Sequence, residues 1–340
     1  MVGEPIPTRT LPRSVATPRR RTLLAVVALG VSLGTLALLA LAAGWKTSAH
    51  HLEHARWPLL AAAVGSHLLA NVAYAVAYHR ALNLRPGPSL SWGHAAVALL
   101  VGFGALPGRG GSAVDRAALM SLGSTRDDAV TWSTVGVLVE LAILALAAWV
   151  CALLLIGAPG VPYTESTPWA VLVPLLAPPA LIAARRACQG PAEPVRARAW
   201  IQQSVRAIAR TIELTRHPRM GGPIFLGVAL YSAADVCALA IALRLCHLHL
   251  AVDRLILAYA TGYLLTRRAL PLAGAGVSDA LLCLALSWVG LPLAGAVPAV
   301  LVYRTSDLAV TLPLALATNA AFIRLAELAT HTPPSSLRRG

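Results

Sequence analysis

Glu140, Asp235, Arg304 and Asp307 lie inside apolar runs, and Arg109, Asp115, Arg116, Arg267, Arg268 and Asp279 flank two glycine-rich turns in similarly apolar surroundings. Ionisable groups at membrane depth are expensive, and they face a bundle interior or an aqueous cavity. Arginine's planar fork pairs bidentately with phosphate. Arg109, Arg116, Arg267 and Arg268 are therefore candidates for gripping a lipid phosphate. Glu140 and Asp307 are candidates for holding those arginines in place or for taking up protons. The competing reading is an intramembrane ion-pair network that only fixes helix packing.

The turns that carry these residues match each other. Ala105–Asp115 reads ALPGRGGSAVD and Ala269–Asp279 reads ALPLAGAGVSD, with an aspartate at the same distance after each proline. Gly and Pro break helices, and broken backbone at membrane depth survives only where protein buries it or a cavity solvates it. Such interruptions at corresponding places in two halves point to a transporter's central site. Gly108, Gly110 and Gly111 leave backbone N–H groups unshielded, so that they could cradle a phosphate together with Arg109 and Arg116.

No nucleophile–base pair stands out, so no catalytic residue and no cofactor are expected. The five cysteines are scattered without a CxxC pair. His50, His51 and His54 fall in Lys46–Arg56 and could bind a metal, but the favoured reading of that stretch is a solvated polar loop. No carboxylate or cysteine joins them at firm ligand spacing, and no metal is expected.

The elements that must position these groups follow from composition. Hydrophobic residues make up 57% of the 340 and charged residues only 12%, about half the usual share of a soluble domain. Several segments reach the roughly 20 apolar residues that cross a bilayer. The expected fold is all-α and polytopic, with about six full spans and two re-entrant or broken helical hairpins. The net charge of +14 comes from arginines clustered in tails and loops, which indicates positive-inside topology and anionic lipid headgroups rather than nucleic acid.

In chain order, residues 1–21 form a disordered cytoplasmic tail, 22–327 a single transmembrane domain and 328–340 a second cytoplasmic tail. Spans are expected at Thr22–Gly44, Trp57–His79, Ala129–Ile156, Pro168–Ala184, Gly221–Cys246 and Pro292–Arg324. The broken segments are Ser91–Ser121 and Asp253–Leu291. Between Arg185 and Arg219 lies a basic stretch whose residues 193–217 read as an amphipathic helix. Ile201, Val205, Ile208 and Ile212 share one face, for the cytoplasmic bilayer surface or for the protein's own cytoplasmic face.

One offset of 164 relates Asn71 to Asp235, Arg80 to Arg244, Pro107 to Pro271, Gly110 to Gly274 and Asp115 to Asp279. Repeats at about 57–156 and 221–324 follow. Loop arginines orient the first repeat opposite to the second, with both termini cytoplasmic and Gly157–Thr167 external. The halves are inverted, as alternating access requires.

These residues resemble a known family. From about Thr22 to Glu327 the chain is similar to the lysylphosphatidylglycerol synthase transmembrane region, the flippase-like integral membrane proteins. The resemblance rests on Leu106-Pro107-Gly108-Arg109-Gly110-Gly111 with Arg116, on the buried Glu140, and on Pro271, Gly274, Gly276, Asp279 and Tyr303-Arg304. Ser112 stands where the family usually has an acidic residue, Asp279 replaces a usual glutamate, Ala273 and Ala275 surround the second glycines, and Val139 replaces a common arginine. No soluble aminoacyl-transferase domain follows the last span. The resemblance implies a stand-alone cell-membrane flippase that moves an anionic phospholipid or lipid-linked envelope intermediate, and adds Tyr303 and Arg304 to the candidate substrate contacts. Two other readings are a non-transporting scaffold for an envelope-assembly enzyme and an intramembrane enzyme of lipid headgroups. Homo-oligomers or an envelope-synthesis enzyme are the expected protein partners.

Overall fold

The computed structural model describes residues 18–84, 92–93, 119, 125–156, 163–189, 196–263 and 276–331. Ten helices occupy them: α1 (Pro18–Ala43), α2 (Trp45–Glu53), α3 (Pro58–Asn83), α4 (Arg126–Leu155), α5 (Tyr163–Gln189), α6 (Arg196–Arg216), α7 (Pro218–Leu245), α8 (Val252–Tyr263), α9 (Val277–Trp288) and α10 (Leu293–His331). Among the described residues there is no strand. The all-helical membrane class expected from composition is the one observed.

Local chemistry sets the helix ends. Pro58 and Pro218 open α3 and α7, where a missing N–H costs nothing. Thr125 caps α4 by accepting the Asp128 N–H at 3.2 Å, and Asp127 and Asp128 place negative charge at the positive end of the helix. Gly44, at φ 106, ends α1. The described part of α1 and α2 meet there at 112°. The expected loop at Lys46–Arg56 is thus mostly helix. Backbone pairing held for two turns beyond the bend, which polar composition alone does not reveal.

Among the described residues, four helices are long and apolar enough to cross a membrane: Pro58–Asn83, Asp127–Leu155, Pro218–Leu245 and Leu293–Thr311, or five if the bent α1–α2 pair counts as one. The expected count was about six. The crossing placed at Pro168–Ala184 is a continuous helix, α5, that carries Pro168, Pro174, Pro178 and Pro179. Leu38, Leu41, Leu68, Leu69, Leu146, Leu154, Leu175 and Leu176 are all exposed on long helices. A hydrocarbon surround suits such leucines and water does not.

At the centre, α3 and α7 run antiparallel along most of their length. Arg56 N–H donates to the Leu245 carbonyl at 3.0 Å, Ser66 Oγ donates to the Ala234 carbonyl at 2.7 Å, and the Tyr74 and Tyr231 rings lie 5.1 Å apart. Small residues permit this closeness. A Cβ on Gly227 would stand 2.8 Å from Ala77 Cβ and 2.9 Å from the Ala73 carbonyl.

The main core joins α7–α10 to α1 and the far end of α4, with Leu36, Leu144, Leu239, Tyr259, Leu282, Leu286 and Tyr303 among its buried members. The second broken segment is built from two helices of twelve residues each, α8 and α9, about 18 Å long against a hydrocarbon core of about 30 Å. They pack closely, for a Cβ on Gly262 would lie 2.8 Å from Leu282 Cα. The basic helix α6 buries Val205, Ala207 and Leu214, the last two against α3, α4 and α7. Of the expected apolar face, Val205 is buried and Ile208 and Ile212 are half-buried, while Arg206 and Arg210 are exposed.

Candidate functional site

The second glycine-rich turn leads into α9 through Gly276, at φ 78. A Cβ there would come within 2.6 Å of Thr35 Oγ1 and 2.9 Å of Val31 Cγ1. Both the left-handed backbone and the approach of α1 therefore demand glycine. Three residues on, Asp279 turns back so that Oδ2 accepts the Gly276 N–H at 3.3 Å. The Ser32 hydroxyl of α1 donates to the same oxygen. Arg304 of α10 donates from Nε to Asp279 Oδ1 and from Nη2 to Ser278 Oγ at 2.8 Å.

The remaining side of the guanidinium is less committed. Arg304 Nη1 lies 3.6 Å from Asp307 Oδ2, beyond an ordinary hydrogen bond. The guanidinium carbon sits 5.6 Å from the Tyr263 ring centroid, in cation–π range. Ser278 and Asp279 are fully buried, but the side chains of Arg304 and Asp307 keep 18% and 16% exposure. A buried carboxylate with three donors thus anchors an arginine whose Nη1 has, among the described residues, only the longer contact to Asp307.

A second buried cluster adjoins the first. Asp235 of α7 sits 3.1 Å from His67 Nδ1 of α3 and accepts the Tyr259 hydroxyl of α8. All three residues are about 1% exposed. His67 Nε2 has no hydrogen-bond partner among the described residues. Tyr303 bridges the clusters, its ring centroid 5.0 Å from that of His67 and 6.2 Å from that of Tyr263.

Of the candidate residues, Tyr303, Arg304, Asp307 and Asp279 come together, and Asp235 lies in the adjoining cluster. Glu140 is buried on α4 at 6%, next to Val139 of the cluster formed by α3, α4, α6 and α7. Gly108, Arg109, Gly110, Asp115, Arg116, Arg267 and Arg268 lie outside the described residues. Among the described residues a cavity opens between α3, α4 and α7, lined by Tyr74, Tyr78, Leu119, Trp132, Ser133 and Gly136 among others.

Ser32, His67, Tyr259, Tyr263 and Ser278 are the site residues that sequence reasoning missed. His67 carried a signal: it is a titratable residue in mid-span, one turn before Asn71, whose side-chain amide donates to its carbonyl at 2.8 Å. Serines and tyrosines in apolar helices are too common to single out by sequence.

The fold and this charged interior define an α-helical integral membrane protein with a buried ionic centre at the start of α9. Residues 25–315 match the lysylphosphatidylglycerol synthase TM region, and the chain belongs to that family. This places it among integral membrane proteins of lipid or envelope processes. No curated protein sequence matches the chain.

Proposed function

We propose that this protein moves an anionic lipid, or a lipid-linked envelope intermediate, between bilayer leaflets without chemically altering it. The observation that carries this reading is the Asp279–Arg304 pair at the start of α9. Asp279 and Ser278 fix the arginine on two sides, leaving Nη1 and the partly open face for an incoming phosphate. Asp307, loosely placed at 3.6 Å, is the group an anionic headgroup displaces. The cationic residues of both turns, Arg109, Arg116, Arg267 and Arg268, would complete the clamp, which a single arginine facing two carboxylates does not supply alone.

An inverted repeat underlies the reading. The antiparallel pair α3 and α7 is the pair that the 164-residue offset equates, and Ala70 and Ala234, which that offset also equates, are both buried in one cluster at their contact. A two-fold axis through such a contact turns one repeat into the other with opposite orientation. In this arrangement residues 157–167 face outside while 185–219 and both termini face the cytoplasm. Cysteine labelling from the two sides of sealed vesicles tests the topology; labelling both segments from one side would refute the inversion.

Transport itself is tested in liposomes carrying fluorescent phosphatidylglycerol, with external quenching reporting leaflet exchange. Wild-type protein accelerates exchange. Arg304→Lys and Arg109→Lys, which keep charge but lose the fork, slow it while the protein remains folded. Exchange no faster than in protein-free liposomes, across anionic lipids and lipid-linked precursors, would overturn the proposal.

A further inference from the structure

His50, Glu53 and His54 occupy one turn of α2 and its C-terminal cap. Positions separated by three and four residues share a helix face, so this face presents two imidazoles and a carboxylate together. One ligand atom from each lies within 4.8 Å of the others. The carboxylate that spacing along a loop did not bring to the histidines is brought there by helix formation. All three side chains are exposed, which leaves them accessible to an ion from solution.

We propose that this turn binds a divalent transition-metal ion, of which Zn²⁺ is the natural occupant, through His50, Glu53 and His54. A tetrahedral zinc site with bonds of about 2.0–2.2 Å spaces its ligand atoms roughly 3.3–3.6 Å apart. Exposed side chains close a gap of 4.8 Å by small rotations about χ1 and χ2. Three protein ligands leave a fourth position for water.

The surroundings favour a dication. His54 Nδ1 lies 3.0 Å from the His50 carbonyl. That acceptor fixes Nδ1 as the protonated nitrogen and leaves the Nε2 lone pair for a metal, the arrangement that orients metal-bound histidines generally. The ligands also crowd the C-terminus of α2, where the helix dipole attracts positive charge. No arginine or lysine competes within the turn, because Lys46 stands at its opposite end.

His51 stands outside this group, its ring turned toward α7 and Gly295 of α10. Its Nδ1 donates to the Cys246 carbonyl at 3.1 Å, which ties α2 to the end of α7. His247 Nε2 likewise donates to the His54 carbonyl at 2.7 Å. Ser48 Oγ donates to the Ala294 carbonyl at 3.0 Å. A bound ion would therefore brace a corner where α2, α3, α7 and α10 converge. This inference is independent of what the protein transports.

The test uses the full chain, purified without a polyhistidine tag and held in lipid nanodiscs in metal-free buffer, titrated with Zn²⁺ by calorimetry and with Co²⁺ by visible absorption. One ion per chain is expected, with the absorption of tetrahedral Co²⁺. His50→Ala and His54→Ala should each weaken binding at least about tenfold, since losing even a group outside the coordination sphere costs about 10–100-fold. Glu53→Gln weakens it less, and His51→Ala leaves it unchanged. Zn²⁺ should raise the melting temperature of the wild type and not of the His50→Ala/His54→Ala double variant. Wild-type protein that binds no Zn²⁺, or a double variant that binds it as tightly as wild type, would overturn the proposal.

Discussion

The two buried charged clusters differ in the one respect that separates a site from a support. Around Arg304 a permanent cation meets Asp279 and Asp307, and the arginine side chain keeps partial exposure. Around Asp235 the carboxylate is matched by His67 and Tyr259, and all three are sealed. Burial favours charge only where its partners are complete. In the sealed cluster both carboxylate oxygens of Asp235 are matched, so it holds α3, α7 and α8 together. The Arg304 cluster keeps a 3.6 Å contact to Asp307 and partial exposure, and the proposed exchange of partners is assigned to it on that ground.

Removing the anchor within the open cluster should have the largest effect. Asp279→Ala strips Arg304 of its principal counter-ion, and breaking a buried pair costs about 3–5 kcal/mol. Thermal unfolding in detergent should fall far below that of Asp307→Ala, whose 3.6 Å contact and partial exposure make it worth about 1 kcal/mol or less. If the two variants melt alike, the division of labour between anchor and displaceable partner is wrong.

The sealed cluster offers the converse. Asp235→Ala leaves His67 Nδ1 and the Tyr259 hydroxyl without their buried acceptor, at about 1–3 kcal/mol each. Stability should fall, yet lipid exchange per folded molecule should match the wild type. Arg304→Lys should do the reverse. Loss of exchange in folded Asp235→Asn protein would make the sealed cluster part of the transport path and dissolve the contrast.

A smaller effect is expected where α3 and α7 touch without charge. Gly227→Val places methyl groups against Ala73 and Ala77, where even a Cβ stands within 2.9 Å, and overpacking costs about 1–3 kcal/mol. Gly136→Val on α4, where a Cβ meets nothing within 4 Å, should cost less than half of that. Equal unfolding temperatures would mean that the central pair has room to slide, and that its tight contact is not what holds the sealed cluster in register.

What the sequence made legible divides along the same lines. Helical class, membrane residence and the four long spans among the described residues all follow from apolar run length, whose effect is local. The gathering of Asp279, Tyr303, Arg304 and Asp307 was half legible: Tyr303 to Asp307 share one helix face by spacing, but no local rule brings Asp279 to them across 25 residues. Ser32 reaches Asp279 from 247 positions away, a contact set only by how α1 packs. The α2 turn escaped because its polar composition favours a loop, while contacts such as Ser48 to Ala294 hold it in place.

The smallest expected effect sharpens the rule that partner completeness, not distance, sets the worth of an ion pair. On α6, Arg210 Nη1 lies 2.6 Å from Glu213 Oε2, far closer than Arg304 Nη1 is to Asp307. Both side chains of that pair are more than half exposed. Water solvates each charge nearly as well as the partner does, and ordering two long side chains offsets much of the attraction. Glu213→Ala should therefore change stability by about 0.5 kcal/mol or less, and the change should vanish in high salt. Double-mutant cycles on Arg210/Glu213 and on Arg304/Asp279, run in the same detergent, compare the two pairs directly. A coupling energy for the α6 pair near that of the buried pair would place Glu213 out of water, against the membrane surface or a partner protein. The exposed arginines of α6 would then belong to an interface and not to a solvated face.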